Sequence, residues 1–312
     1  MSITTSDNNE HDVKMIESPF PRHFHFQTED TVTTSFTKMN IITPVISKPA
    51  RNIMDLIMLV TGASLNVFLG LSITLNSIMH TSSNCYVMSL MFSNFVVLLE
   101  PLKQVFDWIF DIHLEMNLDY VFMMSFSTSV LIIILLNVET YVVICQKNSP
   151  LRNTLLKIST AIKGVSFIWI LCIMLIAMEL HLYEHFQKEI IHDIYISSSV
   201  MFLIFPSFIL ILLNYFTLYD LIISKSIIGA WPSEDIKRFI FLVGVNVGFF
   251  LTMVPYRIVR IIIFITQSYN DMAIEITYIM IKMHPIILPI ICFITFKRTR
   301  QTFKDNDALS TA

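Results

Sequence analysis

The chain has 312 residues, 54% of them hydrophobic and only 14% charged, with a formal net charge of −3 and a mean hydropathy of +0.66. A soluble domain carries about a quarter charged residues, so this composition excludes an ordinary soluble enzyme or binding domain. The apolar excess falls into blocks of about 20 residues, the length that crosses ~30 Å of hydrocarbon as a helix, and the short alternating segments of a membrane β-barrel are absent.

Residues 1–52 are polar and Ser/Thr-rich, without apolar periodicity, and read as a disordered tail. No short apolar core with a cleavage site stands in it, so the first span is expected to act as its own insertion signal. The apolar blocks place spans at 53–79, 84–105, 117–144, 164–181, 194–222, 238–264 and 273–295. Before the sixth, Trp231-Pro232-Ser233-Glu234-Asp235 reads as a helix start, with Pro in the first turn, Ser as a cap and acids at the positive helix end. After the seventh, the basic, amphipathic stretch Phe296 to Phe303 is expected to lie along the membrane face as a short eighth helix. The fold class is therefore an all-α membrane protein, a seven-transmembrane helix bundle with a short amphipathic eighth helix. The tail occupies 1–52, the bundle 53–304 and a short second tail 305–312.

Seven spans place Lys147, Arg152, Lys157, Lys163, Lys225, Lys237, Arg238, Lys297, Arg298, Arg300 and Lys304 on one side. The short loops of the other side hold Lys188 and seven acids, among them Asp107, Glu115 and Asp193. The positive-inside rule then puts the N-terminus outside and the C-terminus inside, as in a multi-pass protein of the plasma membrane. Cys85, Cys145, Cys172 and Cys292 all fall within spans or near the inner face, so no structural disulfide is expected.

Several motifs recur in order and at set spacings. Span 2 opens Asn84-Cys-Tyr-Val-Met-Ser-Leu90 and reaches Asn94, 28 residues after Asn66. Trp108-Ile-Phe110 follows it, and span 3 ends Glu139-Thr140-Tyr141. Span 4 carries Trp169, span 5 carries Pro206, and span 6 holds Phe249-Phe-Leu-Thr-Met253-Val-Pro255-Tyr256. Span 7 holds Leu288-Pro289-Ile-Ile-Cys292, with Pro289 lying 34 residues after Pro255. Over about 250 residues this order resembles the rhodopsin-like (class A) G-protein-coupled receptors. The chain departs from the family where Asn94 replaces an Asp, Glu115 a Cys, Thr140 an Arg, Met253 a Trp, and Leu288 and Cys292 an Asn and a Tyr. The second outer loop also lacks the Cys that would pair at position 115.

The resemblance implies an activation switch built from Glu139, Thr140, Tyr141, Phe249, Met253, Pro255 and Pro289, with Pro206, Val130 and Phe249 as the transmission element. Thr140 carries no charge and cannot pair with Glu139 or Asp235 as an Arg would. That implies either altered resting restraint or an ordinary helix residue beside an interfacial Glu. Asn66, Asn94, Ser129 and Asn246 form a polar core that, without the Asp, is expected to bind sodium weakly or to act as glue between helices.

Ionisable residues inside spans, Glu100, Asp119, Glu179, Arg257, Arg260, Glu275 and Lys282, are costly at membrane depth and face a cavity or one another. Tyr256 and Arg260 share a helix face, and the family lines its ligand pocket with that face. The pocket expected here holds Asp119, Phe122, Tyr256, Arg257, Arg260 and Lys282, set for a polar, charge-bearing ligand such as a peptide. Lys282, seven residues before Pro289, also has the spacing of the retinal-binding Lys of opsins, although Met253 stands where the ring that packs on retinal belongs. His181 and His185 are read as loop histidines rather than metal ligands. No phosphate-binding loop, nucleophile elbow or basic–aromatic nucleic-acid pattern is present.

The expectation is an atypical receptor of the neuropeptide-receptor kind, cellular or viral, with no enzymatic activity, no cofactor and no metal. Its partners are an extracellular peptide, a heterotrimeric G protein, the lipid bilayer and a second receptor in a homo- or heterodimer, with no nucleic acid. A non-signalling pseudo-receptor that partners another receptor is the alternative. An opsin-like photoreceptor and a channel or transporter stand behind it, and inverted repeats that would favour a transporter are not visible.

Overall fold

The structure is a computed structural model whose backbone is described for residues 47–112, 118–185, 188–229, 233–266 and 271–310. Every long element among them is helical: α1 (Lys48–Leu75), α2 (Ser82–Phe110), α3 (Leu118–Cys145), the short α4 (Pro150–Leu155), α5 (Ile158–His185), α6 (Lys188–Ile228), α7 (Ser233–Thr252), α8 (Val254–Thr266) and α9 (Asp271–Ser310). Seven stretches of these helices are long and apolar enough to cross a membrane, with α7 and α8 together forming the sixth.

The helix ends follow local chemistry. Pro49 sits in the first turn of α1, where a missing N–H costs nothing. The Thr81 hydroxyl accepts from the Asn84 N–H at 3.3 Å to cap α2. The Ser149 hydroxyl accepts from the Leu151 N–H at 3.2 Å to cap α4. Glu234 and Asp235 occupy the first turn of α7, where the helix dipole favours negative charge. Trp231 and Pro232 lie outside the described residues.

Two expectations change. α1 begins at Lys48, so residues 48–52 are helical rather than tail. The eighth helix is not set off: α9 runs unbroken from Asp271 to Ser310, because no Gly or Pro between Thr295 and Ser310 interrupts the backbone ladder. α1 also ends at Leu75 rather than at 79, and span 3 shifts by one residue without lengthening, while the remaining spans extend at both ends, as helices do past the apolar window that reveals them.

α3 is the central helix, packed against α2, α5, α6 and α7, while α9 packs against α1, α2, α7 and α8. Of the apolar window of α3, 67% is buried, against 17% in α5 and in α6. α5 and α6 therefore turn most of their surface outward, where Phe167, Phe205 and Phe208 are exposed, as suits helices whose solvent is lipid. The core between the inner helices is built on Phe122, Phe126, Phe249, Met253, Tyr256 and Leu288. Trp169 of α5 donates its ring N–H to the Ser89 hydroxyl of α2 at 2.8 Å, which fixes α5 to the bundle.

Prolines shape two helices. Pro255 has no N–H to offer the Leu251 carbonyl, and the helix breaks at Met253 between α7 and α8. In α9, Pro289 deprives the Pro285 carbonyl of its donor, yet the helix continues because the Asn66 amide of α1 donates to that carbonyl at 2.6 Å. Gly62 allows the approach. A Cβ there would stand 3.0 Å from Leu98 Cδ2 and 3.4 Å from Pro285 Cβ.

Candidate functional site

The upper half of the bundle, where α1 begins, concentrates buried charge. Asp55 in α1, Glu100 in α2 and Lys282 in α9 are each nearly inaccessible. The Lys282 ammonium lies 2.7 Å from Asp55 Oδ1 and 2.7 Å from Glu100 Oε2, and 4.7 Å from the centre of the Tyr278 ring. One ammonium thus ties three helices, and Asp55 Oδ2 has no hydrogen-bond partner among the described residues. Towards the helix ends, Arg51 pairs with Glu275 at 2.5 Å, a second link between α1 and α9.

A second charged group lies on the other side of α3. Arg257 of α8 is buried with its guanidinium 5.1 Å from the centre of the Phe126 ring. It lines a cleft of about 20 Å³ with Glu179 of α5, Ser127 of α3, and Ser198 and Ser199 of α6. Between the two groups Phe122, Tyr256 and Tyr278 form an edge-to-face cluster, with Phe122 5.5 Å from each tyrosine ring.

The single pocket expected from sequence therefore divides. Phe122 and Tyr256 come together, and Lys282 meets Glu100. Arg257 faces Glu179 rather than Lys282, and Arg260 is half-buried on the same helix. The side chain of Asp119 lies outside the described residues. Asp55 was missing from the expected set. An acid inside an apolar helix is itself a signal, but Asp55 stands only two residues into the span as first delimited.

The polar core also divides. Asn94 donates to the Asn66 side-chain oxygen at 2.8 Å, while Ser129 joins Ser93, whose hydroxyl stands 2.7 Å from those of both Ser129 and Ser125. Asn246 belongs to a separate trio lower in the bundle. Asn137 and Asn246 exchange side-chain hydrogen bonds at 3.1 Å, and the Asn214 amide donates to Asn137 at 3.0 Å. These bonds link α3, α6 and α7. Thr252 meets His284 Nδ1 at 2.8 Å, and the ring of that histidine stands edge-on to Phe249. Phe249 in turn packs on Phe126 at 5.3 Å, with Met253 fully buried beside them. Val130 is also buried in this core.

At the lower end, where α3 finishes, Glu139 is buried and accepts a 2.6 Å hydrogen bond from Ser83 of α2. Thr140 turns its hydroxyl back to the Leu136 carbonyl at 2.8 Å. Tyr141 is half-buried. Asp235 cannot pair with Thr140, but Lys147, two residues past the end of α3, reaches it at 3.0 Å. That ion pair joins the ends of α3 and α7. Sequence reasoning set Lys147 among the basic loop residues without giving it a partner.

No protein-family model and no curated protein matches the chain.

Proposed function

We propose that the chain is a receptor of the rhodopsin-like kind, set in the plasma membrane with its N-terminus outside, which binds a polar extracellular ligand, a peptide, and signals to a heterotrimeric G protein. The observation that carries this reading is the Lys147–Asp235 pair at 3.0 Å, which closes α3 onto α7 at the lower end in a chain whose Thr140 cannot. The upper aromatic cluster, flanked by the Lys282 and Arg257 groups, supplies the polar and apolar surfaces that a charged ligand uses. The broken helix at Met253 and the Phe126–Phe249–His284 contacts lie between the two ends and offer a path for coupling. Activity is then a shift between two helix arrangements, one of which the ligand binds better.

One observation favours a second reading. Glu139 is buried and bonded to Ser83 through Oε1 alone, and Thr140 bonds back to its own helix, so the end of α3 presents no basic group at these two positions. A non-signalling partner of another receptor fits that end equally well.

The experiment is basal G-protein activation in cells, with surface display measured by an N-terminal tag on intact cells. The Lys147–Asp235 pair is partly exposed, and such pairs contribute about 0–1 kcal/mol. Asp235→Asn should therefore raise the basal signal by at most about fivefold. A surface-displayed chain that is silent as wild type and as Asp235→Asn would transfer the case to the non-signalling reading.

A further inference from the structure

Three carboxamides meet in the lower half of the bundle, one each from α3, α6 and α7, and every amide hydrogen they carry is used. Asn137 donates to the Ile133 carbonyl at 2.7 Å and to Asn246 Oδ1 at 3.1 Å. Asn214 donates to the Leu210 carbonyl at 2.7 Å and to Asn137 Oδ1 at 3.0 Å. Asn246 donates to Asn137 Oδ1 at 3.1 Å and to Asn214 Oδ1 at 3.3 Å. Four of these six bonds cross between helices. A network with no spare donor is rigid as a whole, and removing one member strands the others.

The network sits on a helix arm with a break above it, at Met253, seven residues from Asn246. On one side Gly244 and Gly248 bring α7 against α9, where an added Cβ would in each case stand 3.0 Å from Ile291. On the other side α6 and α7 leave a groove of about 580 Å³, lined by Tyr215, Leu218, Val247 and Leu251 among others. The arm is therefore packed closely on α9 and loosely towards α6, and on the loose side Asn246 ties it.

Magnitudes rank this tie above the ion pair at the tip. Asn246 lies about 10 Å from the break, so a bend of about 10° moves it by about 2 Å. That takes bonds of 3.1–3.3 Å beyond hydrogen-bonding reach, and the arm cannot bend so far with the amides joined. The Lys147–Asp235 pair is partly exposed, screened by water and salt. Asn137 and Asn246 are buried, where a broken amide bond finds no water to replace it.

We propose that Asn137, Asn214 and Asn246 form a clasp that holds the lower arm of α7 against α3 and α6, and that release of this clasp, rather than of the ion pair at the tip, is the step that frees the arm. The proposal concerns the movement of α7 and holds whether or not the chain signals.

The test is the distance between spin labels at Ile162→Cys on α5 and Ile240→Cys on α7, both exposed positions. It is measured by pulsed electron paramagnetic resonance on the full chain in nanodiscs. The half-buried Cys85 and Cys145 are replaced by serine throughout, while Cys172 and Cys292 are buried away from the label. This background should give one dominant distance. Asn246→Leu should add a second, displaced by about 3 Å at the length of this arm, and raise the ratio of open to closed forms about tenfold or more, as three lost bonds between helices imply. Asp235→Asn should raise it at most about fivefold. Asn214→Leu, which removes two of the four bonds between helices, serves if Asn246→Leu does not fold. A second label pair, Ile162→Cys with Leu71→Cys on α1, reports on the rest of the bundle and should not change. Unchanged distances in Asn246→Leu would overturn the proposal, as would a larger response to Asp235→Asn. So would equal broadening of the second pair, which would make the amides general glue of the bundle.

Discussion

The side-chain amide of Asn66 replaces a hydrogen bond that Pro289 removes from another helix. Pro289 leaves the Pro285 carbonyl without its helical donor, and Asn66 donates to that carbonyl at 2.6 Å while also reaching the Gly62 carbonyl of its own helix at 2.8 Å. Its oxygen accepts from Asn94. Asn66→Ala should destabilise the bundle by about 1–3 kcal/mol, the cost of leaving buried polar groups unpaired. Pro289→Ala should be less harmful in that background than in the wild type, because an alanine N–H restores the donor. Thermal unfolding of the four proteins in nanodiscs measures the coupling, and additive effects would mean that the amide contributes by packing alone.

Lys282 faces two carboxylates, so its removal leaves like charges buried together. Lys282→Met should cost about 3–5 kcal/mol, the range for stranding buried charge, and appear as poor yield and a lower melting temperature. Adding Asp55→Asn and Glu100→Gln to Lys282→Met should recover most of the loss. If the triple variant is no more stable than Lys282→Met alone, the ammonium is not what keeps these acids tolerable.

Thr140→Arg should lower any basal signal. An arginine beside Glu139 offers its carboxylate a stronger partner than Ser83, drawing Glu139 back to α3. Ser83→Ala, which removes the 2.6 Å bond, should increase the effect. Basal G-protein activation at matched surface display reads both, and an unchanged signal in a chain that does signal would remove Glu139 from the switch.

Two glycines should differ in tolerance. A Cβ at Gly62 meets Leu98 and the fixed ring of Pro285, whereas at Gly70 it meets only the mobile end of Met91, with Cε at 2.7 Å. Gly62→Ala should cost about 1–3 kcal/mol and Gly70→Ala less, as melting temperatures of the two variants will show.

The seven spans were legible because lipid imposes one rule, an apolar run long enough to cross, and the sequence obeys it with few exceptions. The break at Met253 was not anticipated: span 6 reads as one run over 238–264, although Pro255 removes a backbone donor there. Pairings between helices were not legible either. Whether Lys282 meets Asp119, Asp55 or both depends on how α1 and α9 are rotated, which hydropathy does not encode. Asn137 and Asn214 passed unnoticed because a single Asn in an apolar helix gives no sign of its partner, and only Asn246 was singled out. The eighth helix was expected from its basic, amphipathic composition, but composition does not turn a helix, and no breaker residue stands where the turn was needed.

The interruption at Met253 divides the sixth span into arms of unequal length. α7 has 20 residues and α8 has 13, so at 1.5 Å per residue the arms measure about 30 Å and about 20 Å. A bend of about 10° at Met253 swings the Ser233 end sideways by about 5 Å, given the length of the longer arm. That displacement exceeds the 3.0 Å separation of Lys147 and Asp235. In the proposed two-state receptor the long arm would act as a lever, a small bend at Met253 being magnified at the tip where the two charges meet.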